Sequence, residues 1–200
     1  MASDLDRLRL DDAAWDAFVG STDTDFPLQL SAWATAKAPY GWSSARVVAD
    51  GGSGPIGAQV LMRSLGPGPF AMGYAPRGPV ATAFDEASLV AFSAALRDFA
   101  RSRRLTHVTA DPGLEGTDHH VLFEAAGWHP ADVLQLGSTQ VIDLTKSEEE
   151  LWHDVYKSSR RYANGARKKG CYVQDEGEEA LPAFYEILRE TAERSGFIPR

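Results

Sequence analysis

The chain has 200 residues, 44% hydrophobic and 24% charged, a composition of folded globular material long enough for one large domain or one and a half ordinary ones. A formal net charge of −8 excludes a protein that coats nucleic acid with its whole surface, and no apolar run approaches the ~20 residues that span a bilayer. The lone cysteine, Cys171, permits no intrachain disulfide, and the start lacks a basic and apolar leader; both point to a cytoplasmic protein, with a lipid-linked substrate at the inner membrane face still compatible.

Asp11 and Asp12 stand where a helix N-cap belongs, ahead of Ala13, Trp15, Phe18 and Val19 on a short amphipathic segment. Phe26-Pro27 breaks the chain. Leu28 to Ala38 then reads as a helix with Leu30, Trp33 and Ala34 on one face, ended by Pro39 and Gly41. Three strands follow, Ala45–Ala49, Ile56–Leu65 and Phe70–Ala75. The glycine-rich turn Asp50 to Gly54 makes the first pair an antiparallel hairpin.

Glu86 to Arg103 is the clearest helix, because Leu89, Phe92, Leu96 and Phe99 recur at three- and four-residue steps. Thr106–Ala110 reads as a strand closed by Asp111-Pro112. A helix near Thr117–Ala126, a Gly127-Trp128 turn and a strand over Thr139–Leu144 complete the first unit. This order of elements is an α/β arrangement with a mixed, largely antiparallel sheet, of the kind seen in N-acetyltransferase-like folds. The predicted first domain is residues 1–145.

Residues 146–200 read as the incomplete start of a second, similar domain. Ser147 and Glu148–Glu150 supply cap and first-turn chemistry for a helix that continues through Arg167 to Gly170. Tyr172–Gln174 is predicted as a short strand and Glu178–Ser195 as a helix with Leu181, Phe184 and Leu188 in a stripe. Two helices and one strand close no core of their own, so the rest of a sheet has to come from elsewhere.

Four constellations carry candidate chemistry. Trp33 and Lys37, four apart, share a helix face: either a core-edge indole beside a solvated lysine, or an anion-binding ammonium over an aromatic wall. Tyr74-Ala-Pro-Arg77-Gly-Pro79 presents Arg77 from a rigid loop, to a substrate or to nearby carbonyls. The stretch Lys157, Arg160, Arg161, Arg167, Lys168 and Lys169 has six basic residues and no acidic ones, interleaved with tyrosine. That is either a solvated face or a phosphate-contacting one. Arg63-Ser-Leu-Gly-Pro-Gly68 matches a coenzyme A-binding pattern, but Pro67 and Pro69 remove amide donors and a hairpin turn is the better reading. The five histidines lack metal-ligand spacing, so no metal site is expected. Cys171, after the basic run, is expected to be buried in its strand.

In order, the motifs Gln29-x-x-x-Trp33-x-x-x-Lys37, Gly41-Trp42, Tyr74 to Pro79, Asp111-Pro112, Gly127-Trp128, Val141 to Thr145, Arg160-Arg-Tyr to Lys169-Gly170 and Thr191 to Phe197 resemble the FemABX family of peptidyltransferases. That family builds the interpeptide bridge of peptidoglycan. The resemblance implies two N-acetyltransferase-like domains, of which the second is cut short here. It implies aminoacyl-tRNA as acyl donor, with no other cofactor, and an acceptor amine on a lipid-linked or nucleotide-linked muramyl peptide. It places Lys37 in the cleft holding the precursor's phosphates or sugar, and Arg200 at another precursor-binding position. No catalytic residue is assigned. Gly165 departs from the family pattern and is expected to weaken its helix. A coenzyme A-dependent N-acetyltransferase and a non-catalytic phosphate- or nucleic-acid-binding module remain the alternatives.

Overall fold

The computed structural model describes residues 4–22, 27–114, 118–132, 134 and 140–198. The chain divides into two compact units, Met1–Ser138 and Thr139–Arg200. Among the described residues no helix is long and apolar enough to cross a membrane.

The first unit is a mixed α/β sandwich around a five-stranded sheet. Helices α1 (Asp4–Leu10), α2 (Asp12–Gly20) and α3 (Ser31–Lys37) precede strands β1 (Ser43–Asp50), β2 (Pro55–Ser64), β3 (Ala71–Arg77) and β4 (Val80–Ala81). Helix α4 (Glu86–Ser102), strand β5 (Leu105–Pro112) and helix α5 (Asp118–Ala125) follow. β1, β2 and β3 are antiparallel neighbours, and β5 adds parallel to β3. The two-residue β4, too short to announce itself in sequence, pairs with the start of β2.

Alternation along β1 and β2 fills both faces. Val47, Ala49, Ile56, Ala58, Val60 and Met62 meet Leu89, Phe92 and Leu96 of α4. On the opposite face Trp15, Phe18 and Val19 of α2 pack with Val48 and Val80, joined by Leu5 and Leu8 of α1. The predicted helix over Leu28–Ala38 is interrupted. Pro27–Gln29 is a 3₁₀ turn and Leu30 is extended, because its carbonyl accepts a hydrogen bond from Gln59 Nε2 (2.8 Å).

The second unit contains α6 (Glu148–Asp154), α7 (Lys157–Lys168) and α8 (Leu181–Ser195). A capping box between Ser147 and Glu150 starts α6. Four expectations are corrected here. The single helix predicted from Ser147 onward is two, because Val155 and Tyr156 are extended (ψ 135° and 136°). The Arg160 guanidinium satisfies the carbonyls this break frees, donating to Trp152 O (3.1 Å) and to His153 O. The strands predicted over Thr139–Leu144 and Tyr172–Gln174 form no ladder among the described residues. A strand needs a neighbour for its backbone groups, and Val173 is fully exposed. Cys171 is exposed rather than buried for the same reason. Pro182 tolerates only the first helical turn, so α8 begins at Leu181 behind a 3₁₀ turn and not at Glu178. Gly165 does not interrupt α7.

Candidate functional site

Gln29 organises the middle of the first unit. β2 pairs with β3 over Leu61–Ser64 and with β4 over Ile56–Gly57, which leaves a gap around Gln59. The fully buried Gln29 side chain fills it. Its Oε1 accepts from Gln59 N (2.8 Å), and its Nε2 donates to Pro76 O (2.6 Å). Trp15 Nε1 donates to the Gln29 carbonyl (2.6 Å), locking the turn that starts α3 to α2. There is no room for a side chain at Gly78, where a Cβ would lie 2.9 Å from Gln29 Nε2.

Two groups of candidate residues hang on this frame. On α3, Lys37 Nζ stands 4.6 Å from the centre of the Trp33 ring, the arrangement the four-residue spacing predicts. Trp33 Nε1 is buried and has no hydrogen-bond partner among the described residues. A buried donor without an acceptor carries a desolvation cost, and the Lys37 ammonium over the ring face is the group of this pair that can meet an anion.

The second group lies at the carboxyl ends of the parallel strands β3 and β5, where Pro76 pairs with Asp111 and Arg77 with Pro112. The Asp111 carboxylate accepts from the Arg77 backbone N–H (2.8 Å) and from the Tyr74 hydroxyl (3.3 Å). Partial burial pushes the Asp111 carboxyl above its ordinary range; the Arg77 amide, the Arg77 charge and the Tyr74 hydroxyl oppose that. Arg77 adopts φ 55°, a strained conformation for a residue with a Cβ. A half-buried carboxyl beside an arginine and a phenol can hold an ammonium or accept its proton.

Asp111 entered the sequence reading only as the end of a strand and as one piece of a motif. Its chemistry depends on the parallel register that sets it opposite Pro76, and local pattern does not encode that register. The Asp-Pro step facing a Tyr-x-Pro-Arg loop was the available signal.

Arg63 and Ser64 end β2, paired with Met72 and Ala71, and Leu65–Gly68 opens the β2–β3 hairpin connection, with Leu65 N donating to Phe70 O (3.0 Å), not a helix-initiating phosphate loop. Of the predicted phosphate-contacting residues, Lys157, Arg160, Arg161, Arg167 and Lys168 lie on α7, with Lys169 as its C-cap. Arg160 is engaged by the end of α6, and the Arg161 guanidinium lies 5.5 Å from the Tyr162 ring. Arg200 lies outside the described residues. Among the described residues no group of three or more His, Cys, Asp or Glu side chains could hold a metal ion.

The FemAB family model matches residues 10–127 and 117–200. Lipid II:glycine glycyltransferases of Staphylococcus aureus strains MRSA252 and bovine RF122 / ET3-1 are each 28% identical over 209 aligned positions, covering 98% of this chain and 49% of theirs. A crystal structure of FemX superposes with a TM-score of 0.73 at 27% identity, over 96% of this chain and 50% of that one. The chain thus spans about half the length of the relatives it matches. Sequence and architecture agree along nearly its whole length, and the chain belongs to the FemAB family.

Proposed function

We propose that this chain forms the acceptor-holding part of an aminoacyltransferase that moves an amino acid from aminoacyl-tRNA to the stem peptide of a peptidoglycan precursor. The observation that carries the reading is the Trp33–Lys37 pair, an ammonium held over the face of an indole in a chain of this family. That pair suits a phosphate or sugar oxygen of the precursor. The relatives' names make glycine the first donor to test and lipid II the first acceptor.

Asp111 holds the acceptor ammonium and takes its proton as the amine becomes a nucleophile, helped by burial that favours its protonated form. The free amine attacks the ester carbonyl of the aminoacyl-tRNA. The new C–N bond replaces the ester C–O bond, and the terminal ribose oxygen leaves with a proton. The ester is already activated, so positioning and charge stabilisation supply most of the acceleration without a covalent nucleophile. The exposed cations of α7 meet tRNA phosphates, and Arg200 is assigned to the precursor. The protein works at the inner face of the cytoplasmic membrane.

Calorimetric titration with a nucleotide-linked muramyl pentapeptide, and mobility shift with aminoacyl-tRNA, test this. Both ligands are expected to bind, the first losing about tenfold in Lys37→Ala, the scale of one charge-assisted contact. Binding of coenzyme A with both of these inert would replace the reading with an N-acetyltransferase.

A further inference from the structure

The β2–β3 hairpin tip plays no part in the site above. From Arg63 to Phe70 every residue is exposed, with Leu65 and Phe70 at 50% and 55%. These two are joined across the tip by Leu65 N to Phe70 O (3.0 Å), so both apolar side chains emerge on the same face of the hairpin. Arg63, two residues back on that face, lays its guanidinium 5.6 Å from the Trp42 ring. Arg104 is pinned alongside, its carbonyl accepting from Ala71 N (3.2 Å), and Arg103 precedes it. Arg63, Arg103 and Arg104 are all exposed, and none is in an ion pair with a described residue.

We propose that this tip, with Leu65 and Phe70 at its point and Arg63, Arg103 and Arg104 around it, docks on an anionic lipid bilayer. Three unneutralised arginines gathered on one rim of a chain of net charge −8 complement a negative surface. The turn Gly66-Pro-Gly-Pro69 adds a second argument. Pro67 and Pro69 have no N–H, so the tip enters the headgroup region with few backbone donors to strip of water. Trp42 under Arg63 is the amphipathic aromatic that the membrane–water boundary favours. An aliphatic leucine at the point gives a lipid surface something to bury. The inference concerns the surface of the first unit alone and stands whether or not the acceptor is lipid-linked.

The test is sedimentation of the full chain with phosphatidylcholine vesicles, with and without phosphatidylglycerol. The chain is expected to pellet with the anionic vesicles and to be released by salt. Affinity should fall about fivefold in Arg104→Ser and about tenfold in Leu65→Ser/Phe70→Ser. Leu10→Ser, which removes an exposed leucine elsewhere, should bind as wild type does. Circular dichroism melts establish that the variants fold. As a second readout, an environment-sensitive dye on Phe70→Cys, in a Cys171→Ser background, should shift to the blue on anionic vesicles. No vesicle binding, or binding that the tip variants leave unchanged with the dye unshifted, overturns the proposal. So does a loss of tRNA shift in the tip variants with vesicle binding intact, which would make the rim a nucleic-acid surface.

Discussion

Replacing Gln29 with methionine keeps the volume of a fully buried side chain and removes its side-chain hydrogen bonds, the two short ones with Gln59 N and Pro76 O and a long one to Gln59 O (3.5 Å). The Gln59 N–H and the Pro76 carbonyl are then left buried without partners, at about 1–3 kcal/mol each. With volume conserved the cavity contribution is small, so the expected loss is about 3–4 kcal/mol. For a unit of this size that lowers the melting temperature by roughly 10 °C. Thermal unfolding followed by near-ultraviolet circular dichroism measures it. Hydrogen exchange over β2 localises it, because the Gln59 amide loses its acceptor. Gln29→Glu separates hydrogen bonding from packing: an ionised carboxylate would face the Pro76 carbonyl, acceptor against acceptor, in a dry site. Its folded-state pKa is then raised above the unfolded value of about 4.3. That variant is expected to lose stability as pH rises through this interval and to approach wild type below it. A Gln29→Met protein within about 1 kcal/mol of wild type, or a Gln29→Glu protein without pH dependence, would refute the idea that this side chain closes the gap between β2 and β3.

Gly51→Ala is expected to cost at least the ~1–3 kcal/mol typical of overpacking, because the new Cβ would lie 2.3 Å from the Ser88 Cα; a urea titration measures it. Asp111→Asn should alter the pH dependence of stability. The raised folded-state pKa of Asp111 means its contribution declines as pH rises from the ordinary carboxylate value through the folded one, so the asparagine variant gains on wild type across that interval and not below it. Melting temperatures of both proteins from about pH 3 to pH 7 decide the sign. On the acid side, Asp85, Asp143, Glu150 and Asp154 have lowered pKa values from serine, threonine and lysine partners. Both proteins should therefore weaken together as pH falls below the usual carboxylate range. Arg77→Gly should remain within about 1 kcal/mol of wild-type stability, since glycine relieves the positive φ, while muramyl-peptide affinity falls in calorimetry.

The sequence was most readable where one physical signal dominated. The stripe Leu89, Phe92, Leu96 gave α4 to within a residue, and the glycine turn after Asp50 gave the β1–β2 hairpin. The pairing of Trp33 with Lys37 followed from helical spacing alone. What stayed hidden depends on neighbours remote in sequence. Leu5 and Leu8 become a helix face only against Val48 and Trp15. The break at Val155–Tyr156 is stabilised by Arg160, a residue that composition reads as one more free cation. Val141 to Leu144 and Tyr172 to Gln174 have strand-forming residues, but a strand is a property of a pair of segments. Exposed Tyr172, Val173, Phe184 and Ile187 show how much of the second unit's apolar surface these residues leave uncovered.

The conformation of Arg77 is where the fold meets the proposed function most closely. A positive φ in a residue with a Cβ costs of order 1 kcal/mol and persists only where the surroundings over-determine it. Here they do: Asp111 holds the Arg77 amide, Gln29 holds the preceding carbonyl, and the absent side chain at Gly78 lets Gln29 approach. A turn needing only to reverse the chain would be better served by glycine at position 77. Under the proposed function, the arginine kept there against that preference, beside a half-buried carboxyl at the ends of two parallel strands, joins Asp111 in holding one group of the substrate. In the proposed reaction that is the acceptor end of the precursor, with Lys37 on α3 fixed through Gln29 to the same frame.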